Sequence, residues 1–170
     1  MNKPDFKNDL MPLKDMLFRL AMRITLDRAE AEDVTEDTLI RVWNKRDEWS
    51  KIKSVEAYAM TICRNLALDR SQKREAMNVS LEEHDNEAPD NDDGPHEKMV
   101  RSERLRWVHK FFQELPEKQR TVMQLRDIEE KNIKETAEII GISEQDVKVT
   151  LFRARQTIRN KLQKLENYGL

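Results

Sequence analysis

Apolar residues recur along this chain at intervals of three and four, the spacing that lines one face of an α-helix. Leu10, Leu13, Leu17, Leu20, Ala21 and Ile24 make the first stripe, over roughly Phe6–Thr25, and Pro12 argues for an irregular or late start. Asp27 is placed to cap a second helix, with Glu30 three residues later completing a capping box. Ala31, Val34, Leu39 and Val42-Trp43 give that helix an inner side. A polar loop, Asp47–Lys53, leads to Ser54, which can cap a third helix lined by Val55, Ala59, Ile62, Leu66 and Leu68 and ending near Arg74. The pattern resumes near Met99, where Leu105, Val108, Phe111 and Phe112 stripe a fourth helix. Leu115-Pro116 ends it and opens a fifth, with Pro at a tolerated first-turn position and Val122, Leu125 and Ile128 facing inward. No segment shows the alternation of a half-buried strand, so the fold class predicted is all-α.

Lys131–Leu162 carries the most specific local pattern. Ile133, Ala137 and Ile140 share a helical face, and Gly141 stands where a sharp turn needs positive φ. Ser143 can cap the next helix, with Asp146 reaching back as the third-position acid. Val147, Leu151, Ala154, Ile158 and Leu162 mark the buried side, while Lys148, Arg153, Arg155, Arg159, Lys161 and Lys164 occupy the others. This is a helix-turn-helix pattern with a basic second helix, suited to a DNA major groove. The alternative is a helical hairpin with a solvated basic face.

Charge sharpens the division of the chain. Asn78–Glu97 holds eight acids and no Lys or Arg; removing its −8 from the net charge of −2 leaves +6 on the remainder. The segment also contains Pro89, Gly94 and Pro95 and almost nothing apolar, so it reads as a flexible linker. The expected organisation is therefore two small helical domains, residues 5–76 and 99–166, joined by an acidic linker over 77–98. No apolar run is long enough to cross a bilayer and the N-terminus lacks the apolar core of a signal peptide, which predicts a cytoplasmic protein without membrane insertion. A single cysteine, Cys63, precludes an internal disulfide.

Catalytic chemistry is hard to find. His84 and His96 lie in the linker, and His109 and Cys63 are isolated in sequence. There is no Gly-rich phosphate loop, and no cofactor is expected. The acidic outer side of the second helix, Glu30 through Asp37, could hold a divalent ion as in a metal-dependent nuclease. Such a face is more often solvated or docks a basic partner, so no metal site is predicted.

Two longer stretches carry a family resemblance. AEDVTEDTLIRVWNKRDEW (Ala31–Trp49) followed by SVEAYAMTICRNLALDRSQKR (Ser54–Arg74) resembles region two of bacterial RNA polymerase sigma factors of the extracytoplasmic-function group. LPEKQRTVMQLRDIEEKNIKETAEIIGISEQDVKVTLFRARQTIRNKL (Leu115–Leu162) resembles region four of the same group. The resemblance implies a sigma factor that binds core RNA polymerase, recognises and opens promoter DNA, has no enzymatic activity, and is held by an anti-sigma factor. It assigns Asp33, Glu36, Asp37 and Arg41 to polymerase docking, with Trp43 weighted towards core. It assigns Trp49, Ile62, Arg64 and Asn65 to capture of a flipped base of the minus-ten element, and Arg70, Lys73 and Arg74 to its phosphates. At the minus-35 element it points to Gln145, Lys148, Val149, Phe152 and Arg153 for the groove. Arg126 stands beside the groove, and Arg155, Arg159 and Lys161 face phosphates. The acidic linker would thread the polymerase channel or serve as an inert spacer.

The chain departs from the family in two places. Glu36-Asp37 and Leu39 replace the more usual Gln-Glu and Phe. At the recognition helix, Ser143-Glu144-Gln145-Asp146 replaces Pro-x-Gly-Thr, which places two acids near DNA phosphates, so promoter preference does not transfer. The competing readings are a dimeric helix-turn-helix regulator that is not a polymerase subunit, the metal-dependent nuclease, and a pure interaction adaptor.

Overall fold

The computed structural model describes residues 3–77 and 97–168, all helical or irregular, with no strand among them. The linker expected over 77–98 falls almost wholly outside the described residues. Three helices form the first part: α1 (Lys14–Thr25), α2 (Arg28–Asn44) and α3 (Val55–Met77), each packed on the other two. A wide turn, Phe6–Leu10, and a tight one, Met11–Leu13, precede α1, so the helix starts after Pro12. The second part comprises α4 (Glu97–Glu114), α5 (Glu117–Met123), α6 (Ile133–Ile140) and α7 (Glu144–Asn167).

Local chemistry sets the helix ends. Leu26 adopts the left-handed conformation (φ 55°) and its N–H closes α1 on the Met22 carbonyl at 2.8 Å. Asp27 then accepts from the Glu30 N–H at 2.9 Å and starts α2, so two residues reverse the chain. Ser54 accepts from the Ala57 N–H at 3.1 Å ahead of α3. Gly141 takes φ 78° between α6 and α7, where a side chain would be strained. Ser143 accepts from the Asp146 N–H at 3.0 Å.

Several sequence expectations need correction. Glu30 turns its carboxylate towards Arg70 of α3, at 3.5 Å. Asp146 likewise turns away, accepting from Lys118 Nζ at 2.7 Å and from the Thr150 hydroxyl at 3.1 Å. Pro116 sits one residue earlier than expected, at the cap of α5. Leu105 is half-exposed because the side of α4 that meets α7 runs through Arg104, Trp107, Phe111 and Glu114. At about 100° per residue, Leu105 is rotated off that line. Ile128 is exposed because residues Gln124–Ile128 form a wide turn, closed by Glu129 N–H to Gln124 O at 2.9 Å. The extra residue in the turn rotates Ile128 outward and brings Glu129 in.

The two parts pack against each other. The buried side chains Leu17, Leu20, Ala21 and Ile24 of α1 belong to one apolar core with Val122, Leu125, Ile139, Val147 and Leu151 of the second part. A smaller core, built on Phe111, Phe112, Leu115, Ala154 and Ile158, lies between α4 and α7. At the seam α5 packs on α1 and α6 on α3. Arg19 donates through Nε and Nη2 to both carboxylate oxygens of Glu129 at 2.6–3.3 Å, and that carboxylate is only 2% exposed. Arg120 donates to the carbonyls of Arg23 (2.9 Å) and Ile24 (3.2 Å), among those that α1's own end leaves unpaired. Arg23 donates to Gln124 Oε1 at 2.9 Å and lies over the Phe112 ring. Burial, with Arg120's charge nearby, lowers its pKa to about 10. Lys131 of the second part pairs with Glu56 of α3.

Cys63 lies in the core of the first part, its Sγ 3.3 Å from the Leu17 carbonyl, and burial pushes the thiol up to about 12. At neutral pH this leaves roughly a thousandfold less thiolate than an ordinary cysteine has. The native chain is therefore expected to resist thiol reagents until it unfolds. Stoichiometric labelling of the folded protein within minutes would contradict this packing.

Candidate functional site

Three surfaces carry the residues singled out in the sequence. The first is the outer side of α2. Asp33, Glu36 and Arg41 are exposed there and Asp37 is partly so. Between them stands Ile40, an apolar side chain 56% exposed, which the sequence reading left out. Its signal was its position, three residues after Asp37 on the same helical face. Arg41 pairs with Asp37 at 3.6 Å. Arg70 of α3 also reaches into this face. Its guanidinium pairs with Asp33 and approaches Glu30 and Asp37, each at 3.5 Å, and the Asp33 hydrogen bond raises its pKa further.

The second surface belongs to α3 and the turn before it, Arg46–Lys51. Trp49 is half-buried, and its indole N–H donates to the Val42 carbonyl at 3.0 Å, which satisfies the C-terminal end of α2. Its ring meets Trp43 edge-on at 6.1 Å; Trp43 packs on Phe6 in the same way and carries Arg46 over its face. Ile62 and Arg64 are half-buried and Asn65 is exposed. Arg64 donates to Asn65 Oδ1 at 3.2 Å, and its Nε is buried with no hydrogen-bond partner among the described residues. Lys73 pairs with Asp69 at 3.1 Å. Arg70 and Arg74 turn back onto α2, Arg74 onto Asp27. The predicted phosphate cations therefore do not form one patch in this conformation.

The third surface is α7. Gln145, Lys148, Phe152, Arg155 and Arg159 fall on one exposed strip, with Arg153 exposed and Val149 half-exposed beside it. Phe152 is 65% exposed, between Lys148 and Arg155 on the strip. Arg155 makes a two-pronged pair with Asp127 that ties α7 to the turn after α5. Lys161 donates to Glu114 at 3.2 Å. Lys118 both neutralises Asp146 and, by its hydrogen bond, holds that carboxyl below the usual range, so one of the two acids at the helix start already has its counterion. Arg126 stands apart from the strip: it is half-buried and donates to the Lys131 carbonyl at 2.7 Å, bracing the entry to α6.

Among the described residues, no group of three or more His, Cys, Asp or Glu is arranged to hold a metal ion, and a guanidinium occupies the centre of the acidic face of α2. No helix there is long and apolar enough to cross a membrane.

Residues 11–76 match the family model for sigma-70 region 2, and residues 105–158 match that for sigma-70 region 4. The chain is 28% identical to the extracytoplasmic-function sigma factor SigW of Bacillus subtilis, over 89% of this chain and 86% of that one. It is 26% identical to the RNA polymerase sigma-E factor of Streptomyces avermitilis, over 94% and 86%. Against the probable sigma factor RfaY of Xanthomonas campestris it is 29% identical, but spans 36% of that longer protein. In fold it is similar to the sigma factor RpoE of Bartonella quintana solved in complex with the anti-sigma factor NepR. The TM-score is 0.78 at 23% identity, covering 94% of this chain and 97% of that one. CnrH, solved with the cytosolic domain of CnrY, gives 0.66 at 19% identity, covering 94% and 88%.

Proposed function

The chain belongs to the extracytoplasmic-function group of the sigma-70 family, and from that premise we propose how its surfaces divide the work of directing RNA polymerase to promoters. The outer side of α2, through Asp33, Glu36, Asp37, Ile40 and Arg41, docks core polymerase. The run of α3 around Ile62, Arg64 and Asn65 captures an unpaired minus-ten base, with Trp49 buttressing the turn that shapes the pocket. α7 enters the major groove at the minus-35 element, its side chains reading base edges and its flanking arginines gripping phosphates. Phosphoryl transfer stays with the polymerase, and the protein works in the cytoplasm, where polymerase and promoter DNA are.

The observation that carries this reading is Phe152. A phenylalanine left 65% exposed between Lys148 and Arg153 has apolar surface that water does not reward. A thymine methyl in the major groove offers it a partner. The test is the neighbouring cation. Arg153→Ala is expected to weaken holoenzyme binding to a minus-35 duplex by about 1–3 kcal/mol and to relax preference at one base position. An unchanged footprint and unchanged affinity would remove Arg153 from base reading.

The seam adds a regulatory element to the proposal. Promoter elements at minus-ten and minus-35 lie about 25 base pairs apart, or ~85 Å at ~3.4 Å per base pair. Here α6 lies directly on α3 and α5 on α1, so helices serving the two elements share one core. Engaging both elements at once requires the seam to open. The closed arrangement is thus a resting form, and an anti-sigma factor that grips both parts would stabilise it.

A further inference from the structure

We propose that Arg70 couples polymerase docking to capture of the melted strand, because two of the three carboxylates that hold its guanidinium in the unbound chain, Asp33 and Asp37, are those that the docking face offers to the polymerase. This deepens, and rests on, the reading of α2 as that face. Arg70 projects from the basic end of α3, beside Lys73 and Arg74, and is turned sideways onto α2, where Glu30, Asp33 and Asp37 surround it. Arg74 makes a similar turn, but its partner is Asp27, the residue capping α2, off the docking face. Of these α3 cations, Arg70 is therefore the one whose partners a docking protein would take.

The exchange is physically accessible. Asp33 is 63% exposed, so a basic partner can approach it without unfolding anything, and solvent-exposed ion pairs are individually weak. When cations of the polymerase satisfy Asp33 and Asp37, Arg70 faces both lost attraction and new like-charge repulsion. Its long side chain can then swing from α2 to the phosphates that follow the captured base, next to Lys73. Linkage makes the effect reciprocal: strand binding that withdraws Arg70 leaves the α2 carboxylates more open to the polymerase. Docking and strand capture would thus reinforce each other through one side chain, and the unbound chain would be kept from holding single strands.

The test uses the full chain with purified core polymerase and a single-stranded minus-ten oligonucleotide. Arg70→Gln is expected to tighten core polymerase binding at low salt by about two- to fivefold, since the acidic face loses its internal counterion. The same variant in holoenzyme is expected to bind the oligonucleotide at least about tenfold more weakly. Arg70→Lys keeps the charge but cannot span three carboxylates, so it should shift both quantities in the same directions by less; it also serves if the glutamine variant does not fold. Two results overturn the proposal: polymerase binding that is unchanged or weakened in a folded variant, as a plain structural brace or a plain phosphate contact would give, or oligonucleotide binding that is undiminished. Failure of the docking assignment itself would show separately, as polymerase capture that survives charge reversal of Asp33 and Asp37.

Discussion

Asp33→Arg combined with Asp37→Arg is expected to abolish capture of core polymerase, lowering affinity by about a hundredfold or more, while helical content stays unchanged. The expected size follows from reversing two charges at the centre of the proposed docking face. Truncating one partner of a close interfacial charge pair costs about 2–5 kcal/mol, and reversal adds repulsion. The fold should survive because both side chains lie on the outer side of α2. The inner side is held by Ala31, Val34, Thr38, Leu39 and Val42, all buried. Arg70 loses two of its three partners in this variant but keeps Glu30 and is partly open to solvent, so it can turn outward. Fluorescence anisotropy against labelled core polymerase, with circular dichroism as the folding control, reads the outcome. A folded double variant that binds polymerase as the wild type does would remove α2 from the interface.

Arg19→Glu opens the seam. The substitution sets a second carboxylate against Glu129, whose own carboxylate has almost no access to water. Unpairing a buried charge costs about 3–5 kcal/mol; with Arg19 itself about half exposed, ~1–3 kcal/mol is a fairer figure here. That penalty falls on the contact between the two parts rather than on the α1–α2–α3 bundle. The expected result is a larger radius of gyration by small-angle scattering and, for the chain without polymerase, affinity raised by about tenfold for DNA that spans both the minus-ten and minus-35 elements, with little change for a minus-35 duplex alone. The gain arises because a binding-competent state that is rarely populated weakens apparent affinity in proportion to its rarity. Arg19→Ala should fall between the wild type and Arg19→Glu. Unchanged dimensions and unchanged DNA affinity in Arg19→Glu would show that this pair does not hold the resting form.

Helix placement was readable from spacing because burial and helical period coincide along most of this chain. Leu17, Leu20 and Ile24, or Val147, Leu151, Ala154 and Ile158, are buried where their three-four spacing puts them. The pattern misled where the backbone left the regular period. The wide turn at Gln124–Ile128 carries no glycine or proline to mark it, yet it exchanges Ile128 for Glu129 on the inner side. Leu26 adopts a left-handed conformation that sequence would assign to glycine or asparagine. Contacts between distant positions were invisible for a different reason. Nothing in local sequence states that Arg19 meets Glu129 or that Arg120 finishes α1, because those choices are made by how two amphipathic units pack.

The candidate surfaces divide in the same way. The exposed strip of α7 follows from helical phase once its buried side is known, so Gln145, Lys148, Phe152 and Arg155 could be listed together in advance. The direction taken by a long cation could not. Arg70 and Arg74 stand in sequence with Lys73 as a phosphate-binding cluster, but carboxylates on the neighbouring helix draw both away. Ile40, a single apolar residue among acids, reads in sequence as an ordinary exposed position until its whole face is seen.

The central claim is that this chain gives core polymerase its promoter choice. Run-off transcription with purified bacterial core polymerase, on a library of genomic fragments and with and without the chain, tests it most directly. Discrete transcripts from defined start sites are expected, which require the chain and disappear with Asp33→Arg/Asp37→Arg. Transcript profiles identical with and without the chain, under conditions where it binds polymerase, would contradict it.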